Sequence, residues 1–128
     1  MKKIVYIIAA AVIALGVSSC NGKIENPTAG NFIGTWDLQS YEIVGADGSV
    51  TNMAPKTLDY WVIKDGTVSM YEANNLSREA DFAVKDKMIY INGVSTYKID
   101  EMTRKEMTLS QDGFGILVSS YKYHYKKR

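Results

Sequence analysis

The chain has 128 residues, 46% of them hydrophobic and 23% charged, which is the composition of one globular domain rather than a disordered segment. With 15 Lys and Arg against 14 Asp and Glu, the net charge is +1, and no strongly basic or acidic field recruits nucleic acid or an acidic partner. A single cysteine, Cys20, excludes a disulfide within the chain, and a single histidine, His124, excludes a multi-histidine metal site.

The first element is a leader. "MKK" supplies a positive start, and Ile4 to Leu15 is an unbroken apolar run. That run falls short of the ~20 residues a membrane-spanning helix needs and has the length of a signal-peptide core. It ends in "LGVSSC", which resembles the lipobox of bacterial lipoproteins, with Val17, Ser18 and Ser19 leading into Cys20. The resemblance implies cleavage before Cys20, acylation of its thiol and of the new N-terminus, and a membrane partner reached through that anchor. The alternative is a plain secretory peptide with an incidental cysteine. Loss of Lys2 and Lys3 with the leader leaves the mature chain close to neutral. A lipid-bound Cys20 is neither a nucleophile nor a metal ligand. The polar stretch "NGKIENPTAG" then reads as a flexible tether. The expected organisation is residues 1–19 as leader, 20–30 as lipidated cysteine and tether, and 31–128 as one β domain.

From Asn31 onward no helical period is present, and short β-type segments alternate with turn signals. The expected strands run from Gly34 to Val44, Thr57 to Ile63, Thr67 to Glu72, Leu76 to Val84, Met88 to Ile91, Val94 to Asp100, Glu106 to Gln111 and Ile116 to Lys126. "ADGS" and "MAPK" fall in a loop after the first strand. Asn92-Gly93 suits a two-residue hairpin turn with φ > 0 at both positions. Such short connections force antiparallel neighbours.

Three-residue loops at "KDG" and "KDK" place Val62 opposite Val68, Tyr60 opposite Met70, Val84 opposite Met88 and Phe82 opposite Tyr90, and the Asn-Gly turn places Met88 opposite Tyr97. The inner face expected from this register holds Val62, Val68, Ala80, Phe82, Val84 and Met88, continued by Tyr90, Tyr97 and Ile99 and then by Met107, Leu109 and Leu117. Arg78 falls inward near a rim. Eight antiparallel strands in sequence leave two bare edges unless the sheet closes. The expected fold is therefore all-β, a compact eight-stranded antiparallel up-and-down barrel, whose interior has room for side chains or one small ligand.

"NFIGTWDLQSYEI" resembles the G-x-W signature of lipocalins, with Gly34 and Trp36 opening the first strand, and "WVIKDGTVSMYE" and "YKIDEMTRKEMTLSQDG" resemble lipocalin-like lipoproteins of the Bacteroidota. The likeness covers most of Asn31 to Tyr125. It implies structural roles for Gly34 and Trp36 at one end of a lipocalin-like barrel. Lipocalins carry a C-terminal helix, which this chain has no room for. They also set an arginine of the last strand against the Trp, and the last strand here contains none, Arg128 lying at the extreme end. "NGKIE" after Cys20 lacks the dense acidic run associated with surface export in that group. The expected location is the cell envelope, at the outer membrane facing the periplasm.

Catalytic chemistry finds little footing in the residues. In the closing "YKYHYKKR", Tyr121, Tyr123 and Tyr125 share the parity of the core, while Lys122, His124 and Lys126 face solvent. No nucleophile elbow accompanies His124, and Glu72, Glu79 and Asp81 read as solvent-face acids. No catalytic residue, metal or cofactor is expected, and no nucleic-acid partner. Tyr60, Met70, Phe82, Tyr90, Tyr97, Met107 and Tyr121 are the candidate lining of a pocket for a small apolar or aromatic ligand. The competing expectation is a protein-interaction or envelope-scaffold module with a filled core. A contiguous outer patch of Trp61, Ile63, Ile116 and Val118 would mark it.

Overall fold

A computed structural model describes residues 22–113 and 115–128. Cys20 and the leader, and with them the lipidation expectation, lie outside the described residues. A 3₁₀ turn, Ala29–Phe32, precedes nine strands: β1 (Gly34–Gly45), β2 (Val50–Met53), β3 (Tyr60–Lys64), β4 (Thr67–Glu72), β5 (Asn75–Lys85), β6 (Met88–Ile91), β7 (Val94–Met102), β8 (Glu106–Asp112) and β9 (Val118–Lys127).

All pairings are antiparallel, and all strands but β2 form a closed ring of eight. The ring is sealed where β1 pairs with β9, from Trp36 opposite Lys127 to Gly45 opposite Val118. On its other side β1 is shared between two partners. Its first residues, Gly34 to Asp37, pair with β3, and its later ones, Tyr41 to Val44, pair with β2. β2 is the element the sequence hid: its side chains are all exposed, so neither face of "VTNM" carries an apolar stripe. The "ADGS" segment is its hairpin turn, tied by Gly45 N–H to Ser49 O (2.8 Å) and Ser49 N–H to Asp47 Oδ1 (2.9 Å).

One end of the barrel is plugged. Phe32 and Trp36 are fully buried there, and the Trp36 indole N–H donates to the Phe32 carbonyl at 2.7 Å. Phe32 meets Phe82 edge-on at 5.5 Å. Lys127, from the end of the last strand, places its ammonium 5.6 Å from the centre of the Trp36 ring. Gly34 is required where it stands: its φ is +139°, and a Cβ would lie 2.6 Å from the Lys127 side chain. The expected tether is docked against this end. Ile24 N–H bonds the Met102 carbonyl (2.8 Å), Lys23 pairs with Glu101 (3.0 Å) and Pro27 is buried. The apolar core lies wholly within Ile24 to Tyr125.

Two turns are one residue shorter than expected, and the faces move accordingly. Lys64 pairs with Thr67 and Lys85 with Met88, so Ile63 stands opposite Val68 and Val84 opposite Ile89. A one-residue slip sends every side chain of a strand to the other face. Trp61, Ile63, Ile89 and Ile91 are therefore the buried residues, while Tyr60, Val62, Met88 and Tyr90 belong to the outer face. The Asn92-Gly93 turn is as expected, with φ of 52° and 78°. A bulge between Ile89 and Tyr90 then brings Tyr97 opposite Ile89 and keeps it inside. Leu117 leaves the expected inner face: β9 begins at Val118, and Leu117 and Ile116 are exposed at the tip of the preceding loop. With Trp61 and Ile63 buried, the contiguous outer patch anticipated around them does not form.

Candidate functional site: the tyrosine-lined open end

β1 parts from β3 after Asp37, where the Leu38 N–H to Asp59 carbonyl bond (3.0 Å) is the last link between them. On this side the far end of the barrel stays open. The cavity there has a volume of about 380 Å³. Its inner walls are Leu38, Trp61, Met70, Tyr97, Tyr123 and Tyr125, with Arg78 at the rim. Arg78 reaches that position because it pairs with Met70 across the β4–β5 ladder, beside a bulge at Met70 and Tyr71.

The aromatic rings form one connected group. Trp61 lies 4.9 Å from Tyr125 and 5.3 Å from Tyr97, and Tyr97 meets Tyr123 edge-on at 5.8 Å. Tyr121 and Tyr41 extend it, each 6.5 Å from Tyr123. Such offset and edge-on pairs are favourable and hold the rings as a rigid wall. Burial shapes their ionisation. The Tyr123 hydroxyl, which donates to Gln111 Oε1 at 2.9 Å, is pushed up to about 12, first by burial and then by its tyrosine neighbours. Tyr125 is raised well above the ordinary value, again chiefly by burial. Tyr97 is raised by burial and partly restrained by the positive charge of Arg78. Among the described residues Arg78 forms no ion pair. The chamber thus presents aromatic faces, a few hydroxyl tips, the Arg78 guanidinium and the carboxylates of Asp59 and Glu72.

The seven candidate lining residues divide. Met70 and Tyr97 line the cavity, and Tyr121 joins its aromatic group from beside Tyr123. Phe82 and Met107 are buried in the filled part of the core, nearer the plug. Tyr90 is on the outer face. Tyr60 touches the cavity only at its rim: it stacks on Tyr71 at 4.6 Å outside the barrel, donates to Asn74 Oδ1 at 2.6 Å and lies under the Arg128 guanidinium. Leu38, Trp61, Tyr123 and Tyr125 are inner-wall residues that the sequence-based lining missed. The parity of "YKYHYKKR" already pointed Tyr125 inward, whereas Trp61 depended on the length of one turn.

A second polar arrangement lies on the outer wall. His124 Nε2 is 2.6 Å from Glu42 Oε2, and its Nδ1 is 3.1 Å from Thr108 Oγ1. The three residues sit side by side on β1, β9 and β8, across the seam that closes the ring. His124 is thus on the expected outer face, but it is held between partners rather than free in solvent. None of the three lines the open end. Among the described residues no group of three or more His, Cys, Asp and Glu is placed to hold a metal ion. Comparisons with protein families, curated proteins and solved structures returned no match.

Proposed function

We propose that the protein is a membrane-anchored lipoprotein whose barrel binds a small apolar or aromatic ligand at its open end, without catalysis. The observation that carries this reading is the cavity of about 380 Å³, walled by Trp61, Met70, Tyr97, Tyr123 and Tyr125. Sites for small molecules are concave and mostly apolar, with a few polar groups that fix orientation. Here Arg78, the tyrosine hydroxyls and the carboxylates of Asp59 and Glu72 are those groups. The resemblance to lipocalin-like lipoproteins supports the same reading through the Gly34–Trp36 plug and the lipobox-like "LGVSSC". The anchor at Cys20 would hold the domain in the cell envelope, at the outer membrane on its periplasmic side. Burying a few hundred Å² of ligand at about 25 cal/mol per Å², less the cost of ordering both partners, sets micromolar affinity as the upper bound.

The test uses the neutral probe N-phenyl-1-naphthylamine, whose emission rises in apolar surroundings. The barrel should bind it saturably. Met70→Trp, which fills the chamber, should weaken binding at least tenfold, while Tyr90→Ser on the outer face should leave it unchanged. No saturable enhancement, or equal affinity in all three proteins, would defeat the proposal. A protein-interaction module remains the second reading, favoured by the exposure of Ile116 (88%) and Leu117 (78%) on the loop beside the open end.

A further inference from the structure

The two ends of the barrel differ in charge as well as in shape. At the open end the connections 45–50, 53–60, 72–75, 91–94 and 112–118 contain Asp47, Asp59, Glu72 and Asp112 against one cation, Lys56, with Arg78 on the cavity rim. At the plugged end the turns 64–67, 85–88 and 103–106, with Lys126 and Lys127, are lysine- and arginine-rich, though Asp65, Asp86 and Glu106 are interspersed, while the Arg128 guanidinium is engaged by Asp37 and Tyr60. The balance of the whole chain conceals this polarity, because the net charge is only +1.

Topology gathers the plugged-end cations. The N–H of Lys127 bonds the Lys105 carbonyl at 2.7 Å, which sets the end of β9 beside the β7–β8 turn. Arg104, Lys105 and Lys127 line one hollow of about 520 Å³ together with Ile24, Gly30 and Asn31, and no carboxylate lines it. Ile24 also borders an adjoining hollow that carries Lys23 and Lys87 alongside Glu25, Asp100 and Glu101. Arg104 and Lys105 are exposed, so their charges are available to a large partner.

We infer that the plugged end is a membrane-facing surface that takes anionic phospholipid headgroups, so that the barrel stands with its open end turned away from the bilayer. The orientation rests on the proposed anchor at Cys20. Ile24 is fixed to Met102 at the plugged end, and the four chain steps from it back to Cys20 span at most about 14 Å when fully extended. An acylated Cys20 therefore keeps this end within one or two screening lengths of the headgroups, a screening length being about 10 Å at 0.1 M salt. At such range each Lys or Arg strengthens attraction to an anionic surface, by about fivefold in partitioning. The acidic connections of the open end are repelled by the same surface. The chamber then faces the aqueous compartment from which a ligand would arrive.

The test is flotation of the chain from Asn21 onward, which holds the complete core and carries neither leader nor lipid, with phosphatidylcholine vesicles containing increasing phosphatidylglycerol. Binding should rise with phosphatidylglycerol content and vanish in high salt. Arg104→Gln with Lys105→Gln should lower the partition coefficient roughly 25-fold, with an unchanged circular dichroism spectrum. Asp47→Asn with Glu72→Gln, at the other end, should not lower it. Binding that ignores phosphatidylglycerol, or that survives loss of Arg104 and Lys105, overturns the inference. Because this protein has no anchor, that outcome is independent of whether Cys20 is acylated. Acylation is read separately by labelling cells with a palmitate analogue, which should mark the wild type and not Cys20→Ala.

Discussion

Trp36→Ala should be among the most damaging single changes available to this barrel. The side chain is completely buried, its N–H satisfies the Phe32 carbonyl at 2.7 Å, and its ring supports the Lys127 ammonium. Truncating a buried aromatic costs about 3–5 kcal/mol. For a domain of this size each kcal/mol corresponds to about 4 °C in the midpoint, so thermal unfolding should begin roughly 12–20 °C lower. Trp36→Phe separates the two contributions, since it keeps most of the apolar volume and orphans the Phe32 carbonyl, a loss of about 1–3 kcal/mol. Differential scanning calorimetry measures both. Amide exchange adds a local reading: Ile24 N–H, bonded to Met102, should lose protection once the plug loosens. An unchanged midpoint for Trp36→Ala would refute the claim that the plug holds the barrel together.

Two further outcomes are expected. Phe82→Trp should destabilise the domain by about 1–3 kcal/mol in urea unfolding, because Phe82 packs against Phe32 in a filled region with no space for added volume. A neutral result would mean that the plugged half is hollow. Stability should also fall at alkaline pH: unfolded tyrosines ionise near pH 10, while Tyr123 holds its proton up to about 12 and Tyr97 and Tyr125 are raised as well. Between those limits the unfolded chain binds fewer protons than the folded one, so the stability present below pH ~10 is lost as pH rises. Tyrosinate absorbance and the unfolding midpoint, followed together, check this, and Tyr123→Phe should flatten the decline.

The barrel was legible because its cues agree with one another. Turn residues recur at short spacing, period-two segments lie between them, and a row of strands with unprotected edges is best resolved by closure. The plug was legible for a similar reason, in that Gly34 and Trp36 sit at the only place where a strand opens on glycine followed closely by a large aromatic. What failed was finer. "KDG" and "KDK" can each be counted as a three-residue loop or as a two-residue turn preceded by a paired lysine; Asp65-Gly66 favours the two-residue turn, whereas Asp86-Lys87 carries no such cue. In the folded chain Lys64 and Lys85 both enter the ladder. Asp86 and Lys87 accept positive φ values of 51° and 63° that a reader would sooner give to glycine or asparagine. β2 escaped notice because a strand exposed on both faces has no hydrophobic period to display.

These errors did not fall evenly on the candidate site. Residues on β9, Tyr121, Tyr123 and Tyr125, kept their inward parity because the long alternating run fixes it without reference to any turn. Tyr97 kept its place for a different reason: the expected Asn92-Gly93 register and an unexpected bulge combined to leave it inside. Tyr60 and Trp61 exchanged faces through one miscounted turn, and so did Tyr90 and Ile89. The consequence for function is direct. With Trp61 inside, the wall of the chamber is a connected aromatic surface from Trp61 through Tyr97 to Tyr123. With Tyr60 outside, the rim gains a stacked pair, Tyr60 on Tyr71, capped by Arg128, itself paired with Asp37 at 2.7 Å. Filled packing near the plug and open aromatic space at the far end thus come from one sequence, divided where β1 leaves β3 for β2. The division also relates the two expectations to each other: one half of the barrel has a filled core, and the other holds a cavity where the ligand expectation can be tested.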